Sequence, residues 1–212
     1  MSRPTGVAAE TEPAPQRRLS AEELRASLAA TLGDWNGRTP VWVFGYGSLI
    51  WKPEFDYDRR LPARVFGYHR RLCLRSIRYR GSAEHPGVVA GLDRGGSCSG
   101  IAYRMPPQAV HRHLPTLWER EMFMGSYAGR WLQARRLDGR GAVRALAFVV
   151  VRSGRNYCGR MSEAELLHVL ATARGIYGSS LDYLQRTVQA LHADGLRDPH
   201  LERLLARAQP KA

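Results

Sequence analysis

Between Val41 and Arg152 the chain breaks into short β-prone runs: VWVF, RVFGY, RLCLRSI, VVAGL, GIAYRM, RWLQARRL and VRALAFVVV. Clusters of Gly, Pro, Asp or Ser part them, as expected between strands. About seven short strands in one stretch predict a strongly curved sheet or a small barrel. Amphipathic helices flank and interrupt the pattern. Ser20 with Glu23 makes a capping box, Leu19 and Leu24 a hydrophobic staple, and Leu24, Leu28 and Leu32 an apolar face stopped by Gly33. A helical insertion covers about Gln108 to Met124. Ser162 with Glu165, stapled by Met161 and Leu166, opens another helix that Gly175 ends. Leu181, Leu184, Val188 and Leu191 mark the next, stopped near Gly195, and Asp198-Pro199 starts a last short one. The fold class is therefore α+β: a small mixed β-barrel with peripheral helices. Residues 1 to about 18 have no apolar periodicity and read as a disordered tail.

Composition excludes several classes of function. The net charge is +13, yet Lys52 and Lys211 are the only lysines among 32 basic residues, and the arginines occur at most in pairs. Dispersed arginine without an aromatic-interleaved basic motif does not predict a specific nucleic-acid site. Cys73, Cys98 and Cys158 are odd in number and far apart, so neither a disulfide framework nor a zinc site is expected. No run is long and apolar enough to span a membrane, and no signal-peptide core precedes the first helix. The expectation is a cytoplasmic protein without metal or cofactor.

Two segments carry chemistry. In VWVFGYGSLIW, residues 41 to 51, a buried strand runs into Gly45-Tyr46-Gly47-Ser48-Leu49. Glycines accept backbone angles closed to other residues and let a ligand approach the main chain. Such a loop can hold several N–H groups toward a carboxylate or a developing oxyanion. It is not a dinucleotide fingerprint, because Ile50 stands where the third glycine belongs, and Lys52 before proline rules out a P-loop. The second segment is the inserted helix. At about 100° per residue, Val110, Leu114, Leu117 and Trp118 share a stripe with Glu121 in its middle, while Glu119 faces away. Pro115 makes those angles approximate. A carboxylate on an apolar stripe is costly unless paired, and burial raises its pKa toward the range a general base needs. The structural alternative is an ion pair between Glu121 and an arginine such as Arg80.

Other candidates fall away. Gly96-Ser97-Cys98-Ser99-Gly100 imitates a nucleophile elbow, but a strand rather than a helix follows, so a hairpin turn is expected there. His111 and His113 point to different helix faces without a third ligand, and read as solvated.

With FGYGSL and Trp118-Glu119-Arg120-Glu121-Met122 in hand, the chain resembles the ChaC-type γ-glutamylcyclotransferases, the glutathione-specific branch of that fold. The resemblance runs from Val41 to about Leu205 and includes WVFGYGSLIWKP, Ser76-Ile77-Arg78-Tyr79-Arg80-Gly81, GIAYRMP and the tyrosine of SSLDYL. It implies an enzyme that turns glutathione into 5-oxoproline and cysteinylglycine. It assigns γ-glutamyl binding to Val43, Phe44, Gly45, Tyr46, Gly47, Ser48 and Leu49, and acid/base catalysis to Glu121. Many eukaryotic members have Gly-Gly-Tyr almost directly after the glutamate. Here Met122-Phe123-Met124-Gly125-Ser126 precedes Tyr127, nearer the bacterial form, and Tyr127 is the candidate substrate contact. Arg78, Arg80 and Arg120 lie near these motifs. Arg80 is the candidate for the distal glycine carboxylate of glutathione, the alternative being pairing with Glu84 or Asp93. The resemblance implies no metal and no cofactor. The expected division is a tail with one helix (about 20–32) over 1–38, the catalytic domain over 39–207, and a short tail over 208–212.

Overall fold

A computed structural model of the chain describes residues 18–209. The tail expected over about 1–18 thus falls almost wholly outside the described residues. The elements in chain order are α1 (Ala21–Leu32), β1 (Val41–Gly45), α2 (Ser48–Trp51), β2 (Arg59–Ser76), β3 (Gly87–Met105), α3 (Pro107–Met122), β4 (Tyr127–Arg136), β5 (Ala142–Val150), α4 (Glu163–Thr172), β6 (Arg174–Gly175), β7 (Gly178–Ser179), α5 (Ser180–Ala193) and α6 (Pro199–Ala208).

Five strands close a barrel in the order β1-β3-β2-β4-β5. All neighbours are antiparallel except where β1 meets β5, with Trp42 opposite Ala145 and Val43 opposite Leu146, and where β3 touches β5 at Leu92 and Val149. That gives the mixed barrel expected, with fewer and longer strands. RVFGY and RLCLRSI fuse into β2, and VVAGL and GIAYRM fuse into β3. Glycine interruptions that resemble strand ends are a bend instead. Gly67, with a φ of 79°, sits at a register shift between Phe66 and Tyr68, and Gly95 and Gly96 also have positive φ on the facing strand. A Cβ is strained in that conformation, so glycine lets both strands curl together without breaking their ladder. Cys98 accordingly lies inside β3, opposite Val65, and not in a hairpin turn.

Small side chains explain why five strands suffice. Ala63, Ala102, Ala134, Ala145 and Ala147 pack around Phe44, Val65 and Leu92 in the barrel interior, all buried. A second core lies between the barrel and α1 with α3, where Leu24 and the partly buried Leu28 and Leu32 meet Leu114, Leu117 and Trp118. Two indoles fasten α1 to the body: Trp118 Nε1 donates to Ser27 Oγ at 2.9 Å and Trp131 Nε1 to the Thr31 carbonyl at 2.7 Å. A third core lies under α4, α5 and α6. Both capping boxes form as the sequence predicts. Helix α4 stops at Thr172, short of Gly175, because Ala173 already turns extended and the chain enters the small β6–β7 pair.

Candidate active site

Strand β1 ends inside the barrel wall and hands the chain to Tyr46 and Gly47, after which α2 begins. Tyr46 is anchored at both ends. Its hydroxyl donates to the Phe148 carbonyl at 2.7 Å, and its own carbonyl accepts from the buried guanidinium of Arg70. Arg70 also donates to the Ser99 carbonyl at 2.5 Å and pairs with Asp198 at 2.6 Å. The first turn of α2 leaves the N–H groups of Ser48 and Leu49 without intrahelical acceptors. Neither Gly45 nor Gly47 has a positive φ. What this loop needs from glycine is therefore the missing Cβ. One added at Gly47 would lie 2.7 Å from Tyr183 Oη and 3.6 Å from Ala90 Cβ.

Glu121 occupies the last turn of α3 with its side chain 14% exposed, while Glu119 faces solvent. Burial raises the Glu121 pKa above that of an ordinary carboxylate; the Arg120 guanidinium, 3.1 Å from Oε1, opposes the shift, and Glu54 reinforces it. The charge pair thus forms with the neighbouring Arg120 and not with Arg80. Arg120 is a hub: it also reaches Glu54 at 2.7 Å, and the Lys52 carbonyl and Ser48 Oγ at 3.2 Å each.

Tyr46, Gly47, Ser48, Leu49, Ala90, Glu121, Tyr127, Phe148 and Tyr183 enclose one recess. Its free space is about 20 Å³, on the order of one water molecule. The main chain of Ala90 holds a tyrosine on each side. Its N–H donates to Tyr183 Oη at 3.2 Å, and its carbonyl accepts from Tyr127 Oη at 3.2 Å. Burial lifts the Tyr46 and Tyr127 pKa values well above normal and pushes Tyr183 up to about 12. All three phenols therefore stay neutral beside the carboxylate, with the Tyr46 and Tyr127 hydroxyls already donating to the Phe148 and Ala90 carbonyls.

The recess brings together six of the residues singled out in the sequence: Tyr46, Gly47, Ser48, Leu49, Glu121 and Tyr127. It excludes the others. Val43 and Phe44 are fully buried in the cores, and Gly45 packs against Leu49 and Tyr103; they carry the loop without lining the recess. Arg80 is 6% exposed and pairs with Asp182 at 2.5 Å, with the rings of Trp51 and Tyr183 each 5.6 Å from its guanidinium carbon. Neither Glu84 nor Asp93 is its partner; Asp93 holds Arg71 and Arg152. His111 and His113 donate locally through Nε2, to the Gly37 carbonyl and to the Asp56 carboxylate. Sequence reasoning missed Ala90 and Phe148 as wall residues. Tyr183 was visible in SSLDYL, but without a role.

The closed barrel with its loop and inward glutamate places the molecule in the γ-glutamylcyclotransferase fold. A glutathione-specific γ-glutamyl cyclotransferase from yeast superposes with a TM-score of 0.74 at 22% identity, over 81% of this chain and 96% of that one. In sequence, the chain is 38% identical over 186 residues to the Escherichia coli (strain K12) glutathione-specific gamma-glutamylcyclotransferase, covering 88% of this chain and 80% of the relative. It is 33% identical over 178 residues to the mouse (Mus musculus) glutathione-specific gamma-glutamylcyclotransferase 1, covering 81% and 80%. Residues 41–210 match the family described as ChaC-like protein, and the chain belongs to that family.

Proposed function

We propose that this protein is a glutathione-specific γ-glutamylcyclotransferase, a carbon–nitrogen lyase working in the cytoplasm. The observation that carries the reading is one recess in which Glu121, with its raised pKa, faces the Tyr46–Leu49 loop. The names of the relatives support glutathione as the substrate. All three cysteines are free, which suits a reducing compartment.

The reaction is an intramolecular aminolysis. The α-amino nitrogen of the γ-glutamyl unit attacks its own γ-carbonyl carbon, and that C–N bond closes a five-membered lactam. The amide bond to cysteine breaks, giving 5-oxoproline and cysteinylglycine. Closing the neutral lactam removes two protons from the α-ammonium nitrogen, and the cysteine nitrogen gains two as it leaves as an ammonium; Glu121 carries them in turn and ends the cycle as it began. General acid–base assistance of this kind contributes about 10²–10⁴-fold in rate. The N–H groups that begin α2 and the neutral phenol of Tyr183, which accepts from the Ala90 N–H and keeps its own proton, suit the α-carboxylate and the oxyanion. Substrate has to displace side chains to enter so small a space. Arg120, which ties Ser48 to Glu121, is the group best placed to yield.

The test is product analysis after incubation with glutathione. Equimolar 5-oxoproline and cysteinylglycine is the expected result. Equal turnover of γ-glutamyl-alanine would move the reading to a broader cyclotransferase, and stabilisation by glutathione without products would move it to a binding module.

A further inference from the structure

Dispersal of arginine along the chain does not survive folding. Seven arginines line one cleft of about 820 Å³ between the outer face of the bent β2–β3 pair and the starts of α4 and α6. The cleft shares no wall residue with the Glu121 recess. Two carboxylates, Glu163 and Asp198, also line it, each already held by an arginine of the same cleft, Arg207 and Arg70 respectively. Arg71 and Arg197 pair with Asp93 and Glu202 outside the wall. Arg64, Arg160 and Arg203 remain, all exposed, and no carboxylate pairs with them among the described residues. The floor is different in kind: Leu72, Leu166 and Leu204 are buried there, with Met161 beside them.

We propose that this cleft is a second binding site, for a small organic molecule carrying two or more linked phosphates. Three guanidinium groups without a carboxylate partner, of which Arg64 donates to Ser99 Oγ at 3.0 Å, call for concentrated negative charge around one cavity, and guanidinium forks match phosphate oxygens in pairs. Leucine and methionine beneath them call for an apolar body on the same molecule. The cavity lies within the size range of small-molecule sites, about 300–1,000 Å³. Its apolar floor of buried leucines favours such a ligand over a nucleic-acid strand, which presents a charged backbone to a basic surface.

The test is titration calorimetry on the full chain with ATP as the probe, at about 0.15 M salt. Inorganic triphosphate, citrate and a duplex oligonucleotide are run alongside. Two variants are compared: Arg160→Glu with Arg203→Glu in the cleft, and Arg25→Glu with Arg130→Glu, exposed arginines elsewhere, matched in net charge. Saturable one-to-one binding of ATP is expected, tighter than triphosphate or citrate. The cleft variant should weaken it by about 10-fold or more per arginine removed, and the matched variant by much less. Thermal melts check that both variants fold. Absence of saturable ATP binding overturns the proposal, as does equal weakening in both variants. Triphosphate or citrate binding as tightly as ATP removes the organic polyphosphate, and a tighter, steeply salt-dependent oligonucleotide complex makes the cleft a nucleic-acid groove instead.

Discussion

Gly47→Ala is the sharpest test of how the substrate loop is built. The new Cβ would arrive 2.7 Å from Tyr183 Oη, whereas contact becomes ordinary only beyond 3.4 Å. Tyr183 cannot simply swing away, since it is buried and its Oη accepts the Ala90 N–H. Overpacking of this kind costs about 1–3 kcal/mol. A loss of that size is about 2–12 °C in Tm for a chain this long. Tyr183→Phe alone leaves the Ala90 N–H without its acceptor and costs about 1–3 kcal/mol. In the double variant the clashing oxygen is gone and the nearest ring carbon is 4.0 Å from the new Cβ. The two losses should therefore not add: the double variant should be more stable than their sum by about 1–2 kcal/mol. Denaturant melts of the four proteins measure this, with kcat/KM for glutathione followed in parallel. Additive losses, or a Gly47→Ala protein as stable as the parent, would refute the close-approach argument.

Glu121→Gln should keep the fold and lower turnover by about 10²–10⁴-fold, whereas Glu119→Gln should be nearly silent in the same assay. Because the folded pKa of Glu121 lies above its unfolded value, its favourable contribution to stability is present at acid pH and lost as pH rises through the folded value. Melts at rising pH should accordingly show Glu121→Gln gaining on the parent; a variant that falls steadily behind contradicts the raised pKa. Turnover should drop as pH falls through the Glu121 pKa, and Arg120→Gln, by removing the opposing cation, should move that limb of the pH–rate profile to higher pH. Arg80→Ala should lower Tm by breaking the pair with Asp182, at a cost of about 1–3 kcal/mol. It should leave the ratio of kcat/KM for glutathione and γ-glutamylcysteine unchanged, and a collapse of that ratio would return Arg80 to substrate binding.

Local signals in the sequence were reliable where local chemistry decides. Ser20 with Glu23 and Ser162 with Glu165 cap their helices because each cap needs only residues three apart. The stripe on α3 located Glu121 because helical periodicity carries through Pro115. Strand number was overcounted, since Gly95 and Gly96 look like a break between VVAGL and GIAYRM when read singly, and the polar His69-Arg70 parts RVFGY from RLCLRSI although the ladder runs through it. Only the pairing of two strands turns these places into a shared bend. Arg80 shows the same limit for the site. Its nearness to the motif in sequence says nothing of Asp182, which arrives from α5. Ala90 left no signal at all, because it contributes through its main chain.

The walls of the recess also set when it can exist. The hairpins β2–β3 and β4–β5 join neighbours in the chain, but β1 closes the barrel by pairing Trp42 with Ala145. Contacts across that much chain carry a larger loop-closure cost and slow folding. The recess draws on the loop after β1 and on α2, β3, α3, β4, β5 and α5, so an open barrel with both hairpins formed has no recess at all. Recovery of turnover during refolding should therefore lag the return of secondary structure. A chain still on the ribosome stays silent until Tyr183 has emerged and docked, and so leaves cellular thiol untouched while it is being made.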